Sequence, residues 1–254
     1  MKNSAICKAF VLLSVLLGAS SVWAASYQEN DAINRSFTLP ARARVDVSAI
    51  NGSVEIRTTD GDTANVQLER TGRSRAEMDC NKVTVEQVSG TLTIQSENVG
   101  GPGCQTIQVI HRLLLSLPRH VNVSVHGVSG PIIVGEIDGT LRLSGNSGNI
   151  NFSQPGRGSL LTGNSGTISI KLRKLDPPGL ELSGNSGAIK LYVAEELNAA
   201  VRVNGLSGTA SSELPNVRFI KTGAADYFAR IGSGGPTIYV EGNSGSILLV
   251  PYRE

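Results

Sequence analysis

From residue 37 to residue 250 the chain alternates apolar and polar positions with a period of two, broken at short intervals by glycine-rich turns. Leu141 and Leu143 are followed across a turn by Ile150 and Phe152, and Leu180 and Leu182 by Ile189 and Leu191. Alternation of this kind marks short strands with one buried face. The turns repeat too: Leu143-Ser-Gly145-Asn146-Ser-Gly148-Asn-Ile150, Leu161-Thr-Gly163-Asn164-Ser-Gly166-Thr-Ile168, Leu182-Ser-Gly184-Asn185-Ser-Gly187-Ala-Ile189 and Val240-Glu-Gly242-Asn243-Ser-Gly245-Ser-Ile247. Looser copies centre on Gly52, Gly90, Gly130 and Gly208.

The second glycines fall at 52, 90, 130, 148, 166, 187, 208 and 245, so the long intervals (38, 40 and 37) are about twice the short ones (18 and 21). A repeat of about 19–21 residues follows, with degenerate copies expected around Val66–Leu68, Leu113–Leu117 and Phe219–Phe228, about eleven units in all. No such unit can bury its own apolar face, so units must stack. The expectation is an all-β parallel solenoid with strands ~4.8 Å apart and a length of roughly 50 Å. Glycine and asparagine tolerate positive φ in the turns, and the asparagines are placed to form a ladder of stacked amides. A Gly/Asn turn between alternating strands also signals a hairpin, so an antiparallel sandwich or barrel is the alternative.

The opening segment Phe37-Thr-Leu-Pro-Ala-Arg-Ala-Arg-Val45-Asp-Val47, then Asn51-Gly52-Ser53-Val54-Glu55-Ile56, resembles the DUF4097 family of adhesin-like β-strand repeat proteins. The Leu-Ser-Gly-Asn-Ser-Gly units and the closing Gly232-Ser-Gly-Gly-Pro236 and Gly245-Ser-Ile247 stretches extend the resemblance over nearly the whole chain after residue 36. It implies a right-handed β-helix-like domain in the bacterial cell envelope, with no catalytic residues to carry over. Residues 53–122 depart from a tidy repeat, which leaves their register open.

The first 24 residues read as a signal peptide. Lys2 and Lys8 precede an apolar run, Ala9–Ala19, too short to span a bilayer comfortably, and Val22-Trp23-Ala24 suits cleavage after Ala24, with Ala25 the next choice. Residues 25–36 read as a flexible N-terminal segment and 37–254 as a single repeat domain. Of three cysteines, Cys7 belongs to the leader, and Cys80 and Cys104 are expected to pair in an oxidising compartment. The chain should be exported to periplasm, cell surface or medium, and not membrane-spanning after cleavage.

The 254 residues hold 23 Lys+Arg against 21 Asp+Glu, and loss of Lys2 and Lys8 leaves 21 of each, so the basic stripe of a nucleic-acid binder is missing. The serines of the turns are not nucleophile elbows, because the second glycine follows the serine directly and a strand, not a helix, comes next. A phosphate loop would need that helix and a lysine, and a calcium roll would need aspartates the repeats lack. Asp60-Gly-Asp62 reads as a turn, and His120 and His126 offer two ligands with no third. A polysaccharide-active enzyme would cluster Asp/Glu with Lys or Arg on one face. Here the outward positions, Arg142, Leu160, Glu181, Arg202 and Tyr239 on one strand and Asn151, Ser169, Lys190 and Ser211 on the next, are mixed.

No catalytic residue, metal or cofactor is therefore expected. The predicted function is a non-enzymatic, exported, adhesin-like surface for an unknown protein or glycan. The alternative is a periplasmic accessory protein of an envelope-stress or membrane-maintenance system, and a β-helix polysaccharide-active enzyme ranks behind both. Weak self-association through an open last strand, Ser246 to Val250, is a further expectation.

Overall fold

The structure, a computed structural model, describes residues 28–105 and 107–252. The signal segment and its Ala24 cleavage site lie outside them. The chain runs along β1 (Glu29–Thr38), β2 (Arg44–Ser48), β3 (Gly52–Thr59) and β4 (Thr63–Gly72). A single-turn helix, α1 (Arg75–Asp79), then leads through β5 (Asn81–Val88) and β6 (Thr91–Asn98) to β7 (Ile110–Pro118). From β8 (Asn122–His126) and β9 (Ile132–Val134) the strands shorten and alternate regularly: β10 (Leu141–Ser144), β11 (Ile150–Ser153), β12 (Ser159–Thr162), β13 (Ile168–Leu172), β14 (Gly179–Ser183), β15 (Ile189–Val193), β16 (Ala199–Asn204) and β17 (Ala210–Ser212). The hairpin β18 (Ile220–Lys221) and β19 (Tyr227–Ile231) precedes β20 (Thr237–Glu241) and β21 (Ile247–Pro251).

These strands form two long sheets. One has the order β1-β4-β7-β3-β9-β11-β13-β15-β21-β17, and the other β18-β19-β16-β20-β14-β12-β10-β8-β2-β6-β5. From β7 to β17 in the first and from β16 to β6 in the second, all neighbours are parallel. The chain is thus a β-helix-like solenoid whose rungs each give one strand to either sheet.

Parallel register stacks like on like. Ile94, Val47, Val125, Leu143, Leu161, Leu182, Val240 and Val203 form one inward column, and Leu113, Val54, Ile132, Ile150, Ile168, Ile189, Ile247 and Ala210 form the facing one. All but Ala210 are buried in a single core. Each large aliphatic side chain so buried is worth roughly 1.5–3 kcal/mol.

Several expectations need correction. There are eight rungs among the described residues, not eleven units. The intervals 52–90 and 208–245 hold antiparallel excursions instead of hidden rungs, whereas 90–130 holds one rung, β6–β7. Val66–Leu68 lies in β4, antiparallel to β1 and β7, and Phe219–Phe228 spans the β18–β19 hairpin. The Gly90 copy is the two-residue turn of the β5–β6 hairpin, with positive φ at Ser89 and Gly90. Among the hidden copies, Leu113–Leu117 in β7 does form a rung strand. The segment 25–36, expected to be flexible, is from Glu29 onward the edge strand β1, ten residues paired in register with β4. The last strand is not open either: β21 lies between β15 and β17, because the last rung inserts ahead of the one that precedes it in sequence. That removes the basis for end-to-end pairing through Ser246–Val250. Among the described residues the free edges are β1 and β5 at one end and β17 and β18 at the other. The first two carry charges and the last two are very short, both of which discourage strand addition.

Candidate contact surface

The turn linking the two sheets is built identically in the central rungs. Gly145, Gly163, Gly184 and Gly242 adopt φ of 60–62°, the left-handed region that bends the chain out of one sheet. At the other corner of the turn the constraint is proximity. A Cβ on Gly148, Gly166, Gly187 or Gly245 would lie 1.8–2.1 Å from the carbonyl oxygen of the corresponding glycine in the adjacent rung.

Between the two glycines, Asn146, Asn164, Asn185 and Asn243 are each 1% exposed. Asn164 Oδ1 accepts from the backbone N–H of Asn146 (3.2 Å) and from its Nδ2 (2.9 Å), and Asn185 Oδ1 does the same for Asn164 (3.0 and 3.0 Å). Asn243 Oδ1 accepts from Asn185 N (2.8 Å), and Asn146 Oδ1 closes the row by accepting from Val128 N (3.0 Å). The Nδ2 groups also reach the carbonyls of Val125, Leu143, Leu161 and Leu182. Every buried amide is thereby partnered, as burial demands. Beyond the row the same position is Val128 on one side and Leu206 on the other, both buried. The structure thus brings the turn residues singled out in the sequence together in one row.

Outward side chains form rows across the rungs. Ser124, Arg142, Leu160, Glu181, Tyr239 and Arg202 follow one another on one sheet, and Ile133, Asn151, Ser169, Lys190, Leu248 and Ser211 on the other. Both rows mix charge, hydroxyl and apolar groups.

The N-terminal end is built differently. Cys80 and Cys104 form a disulfide (Cα–Cα 5.5 Å) that fastens the segment between β6 and β7, where a central rung would have its Gly-Asn-Ser-Gly turn. Ser74 caps α1 by accepting from Glu77 N, and the Glu77 carboxylate accepts from the N–H groups of Arg73 (2.7 Å) and Gln108 (2.6 Å). Those two N–H groups, that of Arg73 foremost, hold the Glu77 carboxyl below the usual carboxylate range. Behind the disulfide, Asn81 Nδ2 donates to Ser96 Oγ (2.9 Å) and Asn98 Oδ1 (2.8 Å), and the terminal nitrogen of Arg70 donates to the Asn81 carbonyl (2.6 Å) while its guanidinium grips Asp31. Since the Asn81 amide nitrogen is occupied as a donor, its oxygen accepts from Nε2–H of His111 (2.9 Å). His111 is 1% exposed and its Nδ1 has no hydrogen-bond partner among the described residues. Nothing in the sequence marked this cluster, since the excursion through β4 and β5 is what brings its members together.

His120 lies in the turn before β8, its Nδ1 3.3 Å from Asp138, while His126 is the last residue of that strand. Among the described residues no group of three or more His, Cys, Asp or Glu is placed to hold a metal ion. Asp60 and Asp62 sit in the exposed turn between β3 and β4, with Arg119 3.4 Å from Asp60.

No family model matches the chain, and no curated protein does. Solved structures superpose on it loosely. A proposed cell-adhesion protein of Clostridium sporogenes is 11% identical, covers 87% of this chain and 100% of its own, and gives a TM-score of 0.42. A proposed adhesin of Bacteroides fragilis is 10% identical over 87% and 97%, with a TM-score of 0.34. A proposed lipid-binding protein of Parabacteroides distasonis is 13% identical over 87% and 97%, with a TM-score of 0.26. The functional reading therefore rests on this chain's own residues.

Proposed function

We propose that this chain is an exported, non-enzymatic, adhesin-like repeat protein of the DUF4097 kind, presenting a long rigid surface for protein or glycan contact at the bacterial cell envelope. The observation that carries the reading is the contrast between inside and outside. The interior is filled rung after rung by aliphatic columns and paired amides, so the outward rows are the part of the molecule available to a partner. A parallel stack cross-linked by every rung holds those rows at fixed spacing without an ordering cost on binding. The Cys80–Cys104 disulfide supports export, since such bonds persist in oxidising compartments.

The test is protease shaving of intact cells, with fractionation and immunoblotting. Loss of the protein or its release into the medium is the expected result. Full protection with recovery in the periplasmic fraction would overturn the surface reading in favour of envelope maintenance, and turnover of a polysaccharide by the purified protein would overturn the non-enzymatic one.

A further inference from the structure

One stretch of the outer surface departs from the mixed pattern. Arg42, Arg44, Asn122, Ser124 and Arg142 line a concavity of about 400 Å³ on the sheet that carries β2, β8 and β10. Its shape follows from the register. Arg44 lies beside Asn122, and Asp46 beside Ser124, which in turn lies beside Arg142. Long side chains on β2 and β10 thus flank short ones on β8, with two strand spacings, about 9.6 Å, between the flanking backbones. The third arginine comes from the turn before β2. Arg42 has φ of 63°, a left-handed conformation unfavourable for a residue with a side chain, and its carbonyl is held by Asn122 Nδ2 at 3.1 Å. Strain of this kind, fixed by a bond from the floor of the concavity, aims an otherwise free loop residue.

The charges do not cancel. Arg44 Nε bonds Asp46 Oδ1 (2.8 Å), which leaves the terminal nitrogens of that guanidinium to a ligand. Arg42 and Arg142 make no ion pair among the described residues. Three guanidinium groups against the one Asp46 carboxylate leave a local excess of two positive charges. Guanidinium forks match carboxylate and phosphate oxygens in pairs. The floor is neutral: among the described residues Ser124 Oγ makes no side-chain hydrogen bond, and Asn122 keeps one amide hydrogen beyond its bond to Arg42. Hydroxyl and amide groups suit the ring hydroxyls of a sugar. An extended polyanionic surface fits less well, because it would also meet Asp46 and, further along the row, Leu160 and Glu181.

We infer that this concavity binds an acidic saccharide unit, its carboxylate or phosphate held by Arg42, Arg44 and Arg142 and its hydroxyls by Ser124 and Asn122. The inference names a ligand class for the outer surface and so rests on the contact reading above. It is tested with purified protein by calorimetry against trigalacturonate, its neutral counterpart trigalactose, inorganic phosphate, and vesicles containing phosphatidylglycerol. Trigalacturonate should bind, weakening as salt rises, and Arg142→Gln and Arg42→Gln should each weaken it at least tenfold with unchanged thermal melting. Arg112→Gln, on the opposite sheet, should not. No binding of trigalacturonate, equal binding of trigalactose, phosphate binding as tight as the sugar's, binding to vesicles alone, or full affinity in Arg142→Gln would each overturn the inference. Protease shaving judges the contact reading separately, so a surface-exposed protein that ignores acidic sugars overturns this inference alone.

Discussion

The central rungs and the N-terminal end share one aliphatic core and are held together by different means. In the centre, from β8 to β15, each rung is stabilised by its neighbours: aliphatic residues stack in register, and one asparagine serves the backbone of the next turn. At the N-terminal end, β4 and β5 return antiparallel, and cohesion comes from a disulfide, a capped helical turn and a polar cluster around Asn81 and His111. A stack has no neighbour beyond its last rung, so the end must close on itself with contacts that no repeat supplies. The difference teaches that the two regions should fail separately.

The largest break in that comparison is covalent. Replacing Cys80 and Cys104 with alanine releases a loop whose ends are 24 residues apart, worth about 3.5 kcal/mol by loop-closure entropy. Hydrogen exchange should show protection lost in β5 and β6 and retained from β10 to β15. Equal loss throughout would mean that ends and centre form one cooperative unit. Next comes the glycine pair of one central turn. Gly166→Ala would place a Cβ 2.1 Å from the Gly148 carbonyl oxygen and force two rungs apart, costing about 3 kcal/mol or more. Gly163→Ala meets no atom within 4 Å and costs only the left-handed φ, about 1–2 kcal/mol. Denaturant unfolding of the two variants should give that order, and the reverse order would show that turn conformation, not rung spacing, limits the stack.

A smaller effect separates asparagine from serine. Asn164→Ala leaves the N–H and Nδ2 of Asn146 without their acceptor, for about 2 kcal/mol, whereas the exposed Ser165→Ala should stay within about 0.5 kcal/mol. A cost for serine equal to that for asparagine would contradict the ladder as the element that joins the turns.

The centre was legible because stacking imposes the same demand on every rung. Gly148, Gly166 and Gly187 face the same carbonyl and Asn146, Asn164 and Asn185 the same amide, so the sequence repeats wherever the contact does. The ends were not legible, because a hairpin excursion has the same period-two alternation as a rung and occupies a similar length. The Val88-Ser89-Gly90-Thr91 turn did carry a signal: strands that end at Val88 and resume at Thr91 leave only two residues between them, a hairpin loop and not a rung turn. Nothing local announces that β20 and β21 insert between earlier rungs. Nor does it announce that Arg42 and Arg142 share a concavity, since both follow from pairing between distant segments.

The finest test of the comparison uses pH, because the N-terminal end contains a buried ionisable group whereas the central core is aliphatic with neutral amides. Burial pushes the His111 imidazole below its usual value of 6.5; the nearby Asn51 carbonyl opposes the shift, Arg70 adds to it, and Asp31 opposes it. A depressed histidine means that, as pH falls through about 6.5, the unfolded chain takes up a proton that the folded chain does not, so stability declines on acidification. The slope approaches about 1.4 kcal/mol per pH unit between the unfolded and folded values, and the loss is complete below the folded one. His111→Gln keeps a donor for Asn81 Oδ1 and removes the titration. Exposed His120 and His126 and the carboxylates are common to both proteins, so the difference between their unfolding curves isolates His111. That difference should be constant above about pH 6.5 and change in favour of the variant below it. It should appear in the exchange of β5 to β7 before that of β10 to β15, and parallel curves from pH 7.5 to 5 would show that the buried imidazole does not titrate with unfolding.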